Sequence, residues 1–347
     1  MNFEPKPITR PVSSITSVRI ADATPTDDLK IATELNGGGC PRSVTAAPKS
    51  QTLPLKIATA MTFPTRIDLR EAFENPPGPL DFVLPGMLAG TIGGLISPGG
   101  VGKSFLSLEW AVLVGAGVDL LGLGQQVPTG RVLMLCLEDP VDALRHRLFG
   151  LGKYLDPAAR ERIHCAVDVM PLVGRGVDLM DDNWFDWILE RAYGVRLLLI
   201  DTLRRAHSLE ENDGGQMAAL LGRMERIALL TGCSIVFLHH TTKSAALNQQ
   251  GDMQQASRGS SVLTDNIRWQ CFLSGMSKDE AKEQRINEAD RGSFVRFGTP
   301  KRNYGPPIAD NWLRRAEGGI LVPADFDSRA VCKPRRVEAT TSASEAW

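Results

Sequence analysis

A glycine-rich segment at residues 97–104, SPGGVGKS, constrains this chain more than any other feature of its sequence. An apolar run, GTIGGLIS at 90–97, leads into it, and a second one, KSFLSLEWAVLVGAG at 103–117, follows. Glycines between a buried strand and a helix let backbone N–H groups wrap an anion at the helix N-terminus. The segment matches the pattern G-x-x-x-x-G-K-[ST] except at its first position, where Ser97 replaces glycine. The sequence therefore predicts a loop that binds nucleotide phosphates.

The last two residues of this segment carry its chemistry. We expect Lys103 to reach the β- and γ-phosphates and Ser104 to bind Mg²⁺, so the predicted cofactors are ATP and Mg²⁺. The predicted binding loop consists of Ser97, Pro98, Gly99, Gly100, Val101, Gly102, Lys103, Ser104 and Phe105.

Two other apolar runs end in carboxylates. The run RLLLI at 196–200 ends at Asp201, which we expect to hold the Mg²⁺ through water. The run RVLMLCL at 131–137 ends at Glu138, our choice for the group that polarises the attacking water. Asp139 is the alternative, and we also expect it to cap the helix that follows.

A pair of histidines ends the run CSIVFLHH at 233–240. Consecutive residues of a strand point to opposite faces, so one imidazole can face the nucleotide while the other is packed. We predict that His240 is a γ-phosphate sensor and that His239 is a core residue.

The order of apolar runs predicts an α/β fold. Predicted strands at 90–97, 131–137, 163–169, 196–200 and 233–240 alternate with predicted helices at 67–73, 103–117, 141–152, 182–194 and 216–232. Unrelieved apolar strands separated by helices indicate a mostly parallel sheet with helices on both faces. Beyond residue 260 the predicted strands are short and hairpin-like, at 267–273, 292–298 and 318–323, which indicates an antiparallel extension at one edge.

The chain divides into three parts by composition. Residues 1–64 hold eight of the 22 prolines and no sustained apolar periodicity, so we predict a disordered N-terminal tail rich in Pro, Ser and Thr. An arm that orders on a partner is the alternative. Residues 65–325 form the predicted ATPase domain, and the polar residues 326–347 form a flexible C-terminal tail.

Charge and apolar patterning exclude several classes of protein. A net charge of −1 excludes a nucleic-acid binder with a broad basic surface, although a local basic pore remains compatible. No apolar run approaches the ~18 residues of a membrane span, and the first residues have no apolar signal-peptide core. The cysteines have no zinc-ligand spacing. We predict a cytoplasmic protein with no membrane partner.

Two long polar segments follow predicted strand ends, one after Asp201 and one at 241–259. Segments of this length are usually functional or disordered, and we predict that 205–214 and 243–257 line a channel for single-stranded DNA. Four cations near or beyond the second segment could reach the nucleotide of a neighbouring copy or could be solvated surface residues: Arg258, Arg268, Lys301 and Arg302.

The order of these motifs resembles the RecA-like P-loop NTPase core. Within it, the chain most resembles the RepA-type hexameric replicative helicases of broad-host-range plasmids, which are distant relatives of DnaB. The similar stretches extend from about Arg66 to about Pro323 and include PLDFVLPGMLAGTIGGLISPGGVGKS, LEDP, LLLIDTLRRAHSLEEN, TGCSIVFLHH, QQASRGSSVLTDNIRWQ and SFVRFGTPKRNYG.

The resemblance implies a homo-hexamer with ATP at each interface, moving 5′ to 3′ on single-stranded DNA, with a plasmid primase or initiator as a candidate partner. It implies that Glu138 is the general base, Asp201 the second carboxylate of the site and His240 the sensor. Arg268 falls where an arginine finger is expected, with Arg258 and Arg302 as alternatives. Lys301 and Arg302 resemble an interface element of DnaB with altered spacing.

Two other functions compete with a helicase. One is a RecA-like ATPase switch that regulates a partner without moving on DNA. The other is a small-molecule kinase, which would need an arginine-rich lid that the sequence does not display.

Overall fold

One nine-stranded sheet organises the computed structural model, which describes residues 66–240, 262–305 and 308–326. Its strand order is β11-β10-β9-β8-β3-β7-β6-β4-β5, and β1 and β2 form a separate two-stranded ribbon. The strands are β1 (Phe82–Leu84), β2 (Met87–Leu88), β3 (Ile92–Ser97), β4 (Arg131–Cys136), β5 (Val167–Pro171), β6 (Val195–Asp201), β7 (Ser234–His240), β8 (Trp269–Gly275), β9 (Phe294–Arg302), β10 (Asn311–Arg315) and β11 (Leu321–Pro323).

Helices cover both faces of this sheet. They are α1 (Leu69–Glu74), α2 (Lys103–Ala116), α3 (Val141–Gly152), α4 (Pro157–Ala166), α5 (Asp182–Ala192), α6 (Gly214–Thr231), α7 (Val262–Asn266), α8 (Lys278–Glu283) and α9 (Glu288–Arg291). None of them, across the three described ranges, is both long and apolar enough to cross a membrane.

Alternate residues of the central strands supply two separate cores. On β6, Leu197 and Leu199 pack with α2, α3 and α4, whereas Leu198 and Ile200 pack with α5 and α6. Because successive side chains of a strand point to opposite faces, a strand buried on both sides has no polar positions. This is why the central strands read as unbroken apolar runs.

The predicted α/β architecture is confirmed, with a different boundary between its parallel and antiparallel parts. Strands β5, β4, β6, β7, β3 and β8 pair in parallel, whereas the pairings of β8 with β9, β9 with β10 and β10 with β11 are antiparallel. The prediction that 267–273 belongs to the antiparallel extension is right for only one side of the strand, since β8 pairs antiparallel with β9 but in parallel with β3. Arg268 precedes β8 instead of lying on it.

The predicted strand at 163–169 is wrong in its first half. Residues up to Ala166 belong to α4, and β5 begins at Val167. The Asp156 carboxylate accepts a hydrogen bond from the Ala159 N–H, and Pro157 occupies the first helical turn, so the helix starts upstream of the apolar run. The predicted strand at 318–323 also begins late, because a 3-10 turn occupies Glu317–Gly319.

Ser97, the departure from the glycine pattern, has a structural partner. Its buried hydroxyl accepts a hydrogen bond of 2.7 Å from the Leu273 N–H on β8. This bond joins the end of β3 to β8 beyond their last paired residues, Leu95 and Cys271. The serine thus adds a tie between the phosphate-binding segment and the neighbouring strand.

We expect Ser97→Gly, which restores the usual phosphate-loop residue, to lower the free energy of unfolding by about 1–3 kcal/mol because a buried N–H loses its acceptor. Chemical denaturation with a spectroscopic readout measures the change. Ser274→Ala is the control, because the Ser274 hydroxyl on the same strand makes no hydrogen bond within the described ranges. Equal stability of Ser97→Gly and the wild type would contradict the assignment.

Candidate active site

The phosphate-binding segment turns sharply between β3 and α2. Gly100 has φ of +76° and Gly102 has φ of +106°, a left-handed region that side chains disfavour. Gly102 also occupies the N-cap of α2, where no side chain caps the helix. The first N–H groups of the helix therefore lie next to the loop, an arrangement that attracts anions.

Lys103 is folded back over this loop. Its amino group donates hydrogen bonds to the carbonyl oxygens of Ser97 at 3.1 Å and Pro98 at 2.7 Å, and it lies 3.3 Å from His240 Nδ1. Only 6% of Lys103 is exposed. The predicted phosphate-binding cation and the predicted sensor are thus in direct contact.

Ser104 and Asp201 meet at the carboxyl end of the sheet. The Ser104 hydroxyl is hydrogen-bonded to the Asp201 carboxyl group. Strand β7 lies between β3, which leads to Ser104, and β6, which ends at Asp201. Burial raises the pKa of Asp201 to about 6, with the Ser104 hydrogen bond opposing that rise and the charges of Glu138 and Asp139 adding to it. Repulsion among these carboxylates favours a bound cation.

Glu138 stands beside this pair. The Thr202 hydroxyl donates a 2.9 Å hydrogen bond to Glu138 Oε1, and Glu138 is solvent-exposed. Asp139 does not cap α3 as predicted, because Pro140 is the N-cap residue. Asp139 instead accepts from both terminal nitrogens of Arg147, which lies two turns further along α3.

The two histidines occupy the different environments that strand alternation predicts. His239 is 1% exposed and lies 3.9 Å from Glu211, measured between His239 Nδ1 and Glu211 Oε1. His240 is half-buried and faces Lys103 and the loop. The role of His240 as a sensor stays a prediction.

Arg315 is a site residue that the sequence analysis missed. One terminal nitrogen donates to the Gly100 carbonyl at 3.2 Å, and the other donates to the Gly292 carbonyl at 2.6 Å. Burial lowers the pKa of Arg315 from its usual value. An arginine at the end of a short strand gives no local signal, and only the pairing of β10 with β9 and β11 brings it to the loop.

Arg147 was missed as well, and it completes one wall of the site. Its guanidinium lies 5.3 Å from the centre of the Phe105 ring, which supports a cation–π contact. The spacing between Asp139 and Arg147 across the start of a helix was the available signal.

These groups line one cleft of about 280 Å³, formed by Gly100, Gly102, Lys103, Ser104, Phe105, Glu138, Arg147, Asp201, Thr202, His240, Arg315 and Gly319. Three cations and two carboxylates share its walls. A polyphosphate that carries a divalent cation fits this charge pattern, because each charged component meets groups of opposite sign.

Three predicted nucleotide-binding cations lie elsewhere. Arg268 precedes β8, whose Trp269 pairs with Gly93 near the start of β3, so Arg268 lies at the opposite end of the sheet from the cleft. Lys301 and Arg302 are beside it on β9, where they pair with the first residues of β8. Arg258 and the predicted loop at 241–259 fall outside the described residues.

Comparison with models of protein families assigns the chain to a family. A family model described as AAA domain matches residues 59–246, which is more than half of the 347 residues. The chain belongs to this AAA domain family. The assignment supports nucleoside triphosphate binding and hydrolysis by this AAA domain.

One of three similar solved structures supports the fold. A structure described as an ATPase domain has a TM-score of 0.51 and 14% sequence identity, over 74% of this chain and 96% of that one. At that identity the likeness concerns the fold alone, which is that of RecA-like P-loop NTPases. A DnaB-like replicative helicase, described with its interactions with primase, has a TM-score of 0.48 and 14% identity over 68% of this chain and 58% of that chain. A structure of the RadB recombinase has a TM-score of 0.44 and 12% identity, over 68% of this chain and 92% of that chain.

We expect Lys103→Ala to abolish ATP hydrolysis while the fold is kept, because no neutral side chain replaces the point charge at the phosphates. Phosphate release measures activity and circular dichroism checks folding. Lys282→Ala is the matched control, since it removes an exposed lysine paired only with Asp279. Hydrolysis near the wild-type rate in Lys103→Ala would contradict this assignment of the cleft.

Proposed function

We propose that this protein is a RepA-type replicative DNA helicase, a homo-hexameric ring that uses ATP to move 5′ to 3′ along single-stranded DNA in plasmid or mobile-element replication. A primase or initiator is its candidate protein partner, and the cytoplasm is its compartment. The observation that supports the proposal most is that Arg268 and the Lys103 cleft lie at opposite ends of one sheet.

The separation follows from strand geometry. Trp269 is in register with Gly93, whereas the phosphate loop follows Ser97 four residues later on the same strand. At about 3.3 Å per residue, these ends are roughly 13 Å apart before the side chain of Arg268 is counted. Arg268 is exposed, and in the described part of the chain it forms no ion pair, including with Asp265. This distance from its own cleft supports the proposal that Arg268 serves the nucleotide of an adjacent copy.

Lys301 supports the same assignment by holding the segment in front of Arg268. Its amino group donates 2.8 Å hydrogen bonds to the carbonyls of Thr264 and Asp265 at the end of α7. The Asn303 N–H donates to the Arg268 carbonyl at 3.2 Å. Lys301 thus acts as a brace in this proposal, and Arg268 is the arginine finger.

Arg302 is less suited to that role than Arg268. It is half-buried, and a Cβ added at Gly86 would lie 2.1 Å from its Nε, so its guanidinium is packed closely on that glycine. A finger has to leave its own chain to reach phosphate, which this packing opposes.

Helix α1 supports assembly. Phe73 is 83% exposed and Leu69 is 55% exposed, and no residue of α1 is buried. An apolar helix face that packs on nothing in its own described chain is typical of a contact with another copy. We propose that α1 docks on the adjacent subunit of the ring.

The site residues predicted from the sequence have proposed roles in hydrolysis. Glu138, held by Thr202, is the base that orients water, and Lys103 and His240 contact the γ-phosphate. The Ser104 hydroxyl and the Asp201 carboxylate are hard oxygen ligands that suit Mg²⁺. When bound, Mg²⁺ neutralises charge on the β- and γ-phosphates. Ser97, Pro98, Gly99, Val101 and Phe105 complete the proposed loop.

If the protein moves on DNA, single-stranded DNA should raise its ATP turnover, and DNA binding should weaken steeply with salt because phosphate contacts release counterions. Phosphate release at a series of salt concentrations measures both effects. Replacing residues 246–254 by a Gly-Ser segment of equal length should remove the stimulation and spare basal hydrolysis. Absence of stimulation in the wild type would favour the ATPase switch instead.

A mixing experiment tests the finger. Arg268→Ala should assemble and bind ATP, yet lose roughly 10³–10⁵-fold in turnover. Lys103→Ala is inactive in its own cleft but keeps an intact Arg268, so mixing the two variants should recover activity at mixed interfaces. Arg314→Ala, an exposed arginine of β10, is the control that should need no rescue. A mixture no more active than its components would exclude a finger acting between subunits.

A further inference from the structure

Glu109 is an acid buried in the helix that follows the phosphate loop. It lies in the middle of α2, six residues after Lys103, and is 1% exposed. Burying an ionisable group is costly unless a partner compensates it. Its Oε1 accepts a 2.7 Å hydrogen bond from the Leu321 N–H, while its Oε2 has no hydrogen-bond partner within the described ranges. The nucleotide cleft does not include Glu109, so its role needs a separate explanation.

Leu321 belongs to a tight hairpin, which we call the hairpin tip and define as residues 315–321. Leu321 and Arg315 are direct partners in the antiparallel pairing of β10 with β11. The Ala316 N–H donates to the Ile320 carbonyl at 2.7 Å, and the Gly319 N–H donates to the Ala316 carbonyl at 3.1 Å. Glu109 therefore holds the residue that pairs with Arg315.

The hairpin tip lies on the nucleotide cleft. Arg315 donates to the Gly100 carbonyl, as described above, and Gly319 faces Phe105 so closely that an added Cβ would be 2.6 Å from the ring. Just after the end of α3, Lys153 and Tyr154 bind the carboxylate and the carbonyl of Glu317. The tip is thus fixed from two sides, and Glu109 supplies the contact from α2.

We infer that Glu109 is a positioning residue, which holds Arg315 and Gly319 against the phosphate loop through the Leu321 N–H. This inference rests on the proposed ATP hydrolysis at the cleft. A carboxyl oxygen that accepts one N–H needs no charge to do so, and the unpartnered Oε2 makes the neutral form the less costly one to bury.

The electrostatics of Glu109 agree with a neutral side chain. Burial raises the pKa of Glu109 to about 8, and the Leu321 hydrogen bond opposes that rise. Most charged groups on or beside the elements packed around α2 are engaged elsewhere: Asp81 with Arg196, Arg131 with Asp168, Lys153 with Glu317, Arg160 with the Leu155 carbonyl, Arg162 with the Ala116 carbonyl, Asp201 with Ser104, and Arg315 with Gly100 and Gly292. Glu161 and His164 complete the acidic and basic side chains of α4. None of them contributes to the pKa of Glu109.

The raised pKa of Glu109 fixes the sign of the pH dependence of the protein's stability. In the unfolded chain Glu109 titrates near its ordinary value of 4.5, so between about pH 4.5 and 8 the folded protein holds a proton that the unfolded chain releases. The stability contributed by this group therefore falls as pH rises through that window and is constant above it. Glu109→Gln removes the titration and keeps an acceptor oxygen.

The test compares Glu109→Gln with Glu109→Met, which has similar length and no carboxyl acceptor. Binding of a fluorescent ATP analogue and the KM for ATP should be within about twofold of the wild type in Glu109→Gln, and the affinity should fall on the order of tenfold in Glu109→Met. Arg315→Ala should cause a similar loss, and the double variant Glu109→Met with Arg315→Ala should lose little more, because the two residues act through one hairpin.

A second readout needs no nucleotide. The melting temperature of the wild type should fall relative to that of Glu109→Gln between pH 5 and pH 8, and this result is independent of whether the protein hydrolyses ATP or moves on DNA. A wild-type protein without ATPase activity but with this pH dependence would overturn the proposed function alone. Wild-type nucleotide affinity in folded Glu109→Met, additive losses in the double variant, or a pH-independent difference in melting temperature would overturn the inference.

Discussion

The parallel pairing of β3 with β7 decides where the functional side chains of this protein lie. Pairing continues from Ile92 with Ile235 to Ser97 with His240, so the phosphate loop and the second histidine leave the sheet at the same level. The pairing of β4 with β6 does the same for Cys136 and Asp201, which brings Glu138 and Asp201 to that edge. The polar residues of the cleft thereby gather at the edge where the parallel strands end.

Electrostatic balance then keeps this edge folded. Asp201 is buried near Glu138 and Asp139, an arrangement that raises its pKa and disfavours three nearby negative charges. Arg147 pairs with Asp139 and lowers the pKa of Asp201, while Lys103 and Arg315 bind loop carbonyls. The cleft therefore holds its cations in place by hydrogen bonds to its own backbone, at the positions where phosphate oxygens would compete for them.

The sequence predicts the parallel core and the strand-end residues because both depend on local signals. An apolar run followed by Asp201 or by His240 specifies a buried strand and the edge at which it ends. Arg315 was not predictable in this way, since it reaches Gly100 only through the register of β10 and β11. Ile163 and its neighbours were misassigned because a short apolar run fits a helix or a strand equally well, and the helix start at Asp156 decides between them.

Strand β8 connects the phosphate loop with the opposite end of the sheet. Its Leu273 is tied to Ser97 at the phosphate loop, and its first residue follows Arg268 directly. The intervening residues are buried and bonded to strands on both sides, so they cannot stretch or buckle independently. Strand β8 is therefore a short, buried path through the sheet that joins the phosphate loop to the backbone next to Arg268.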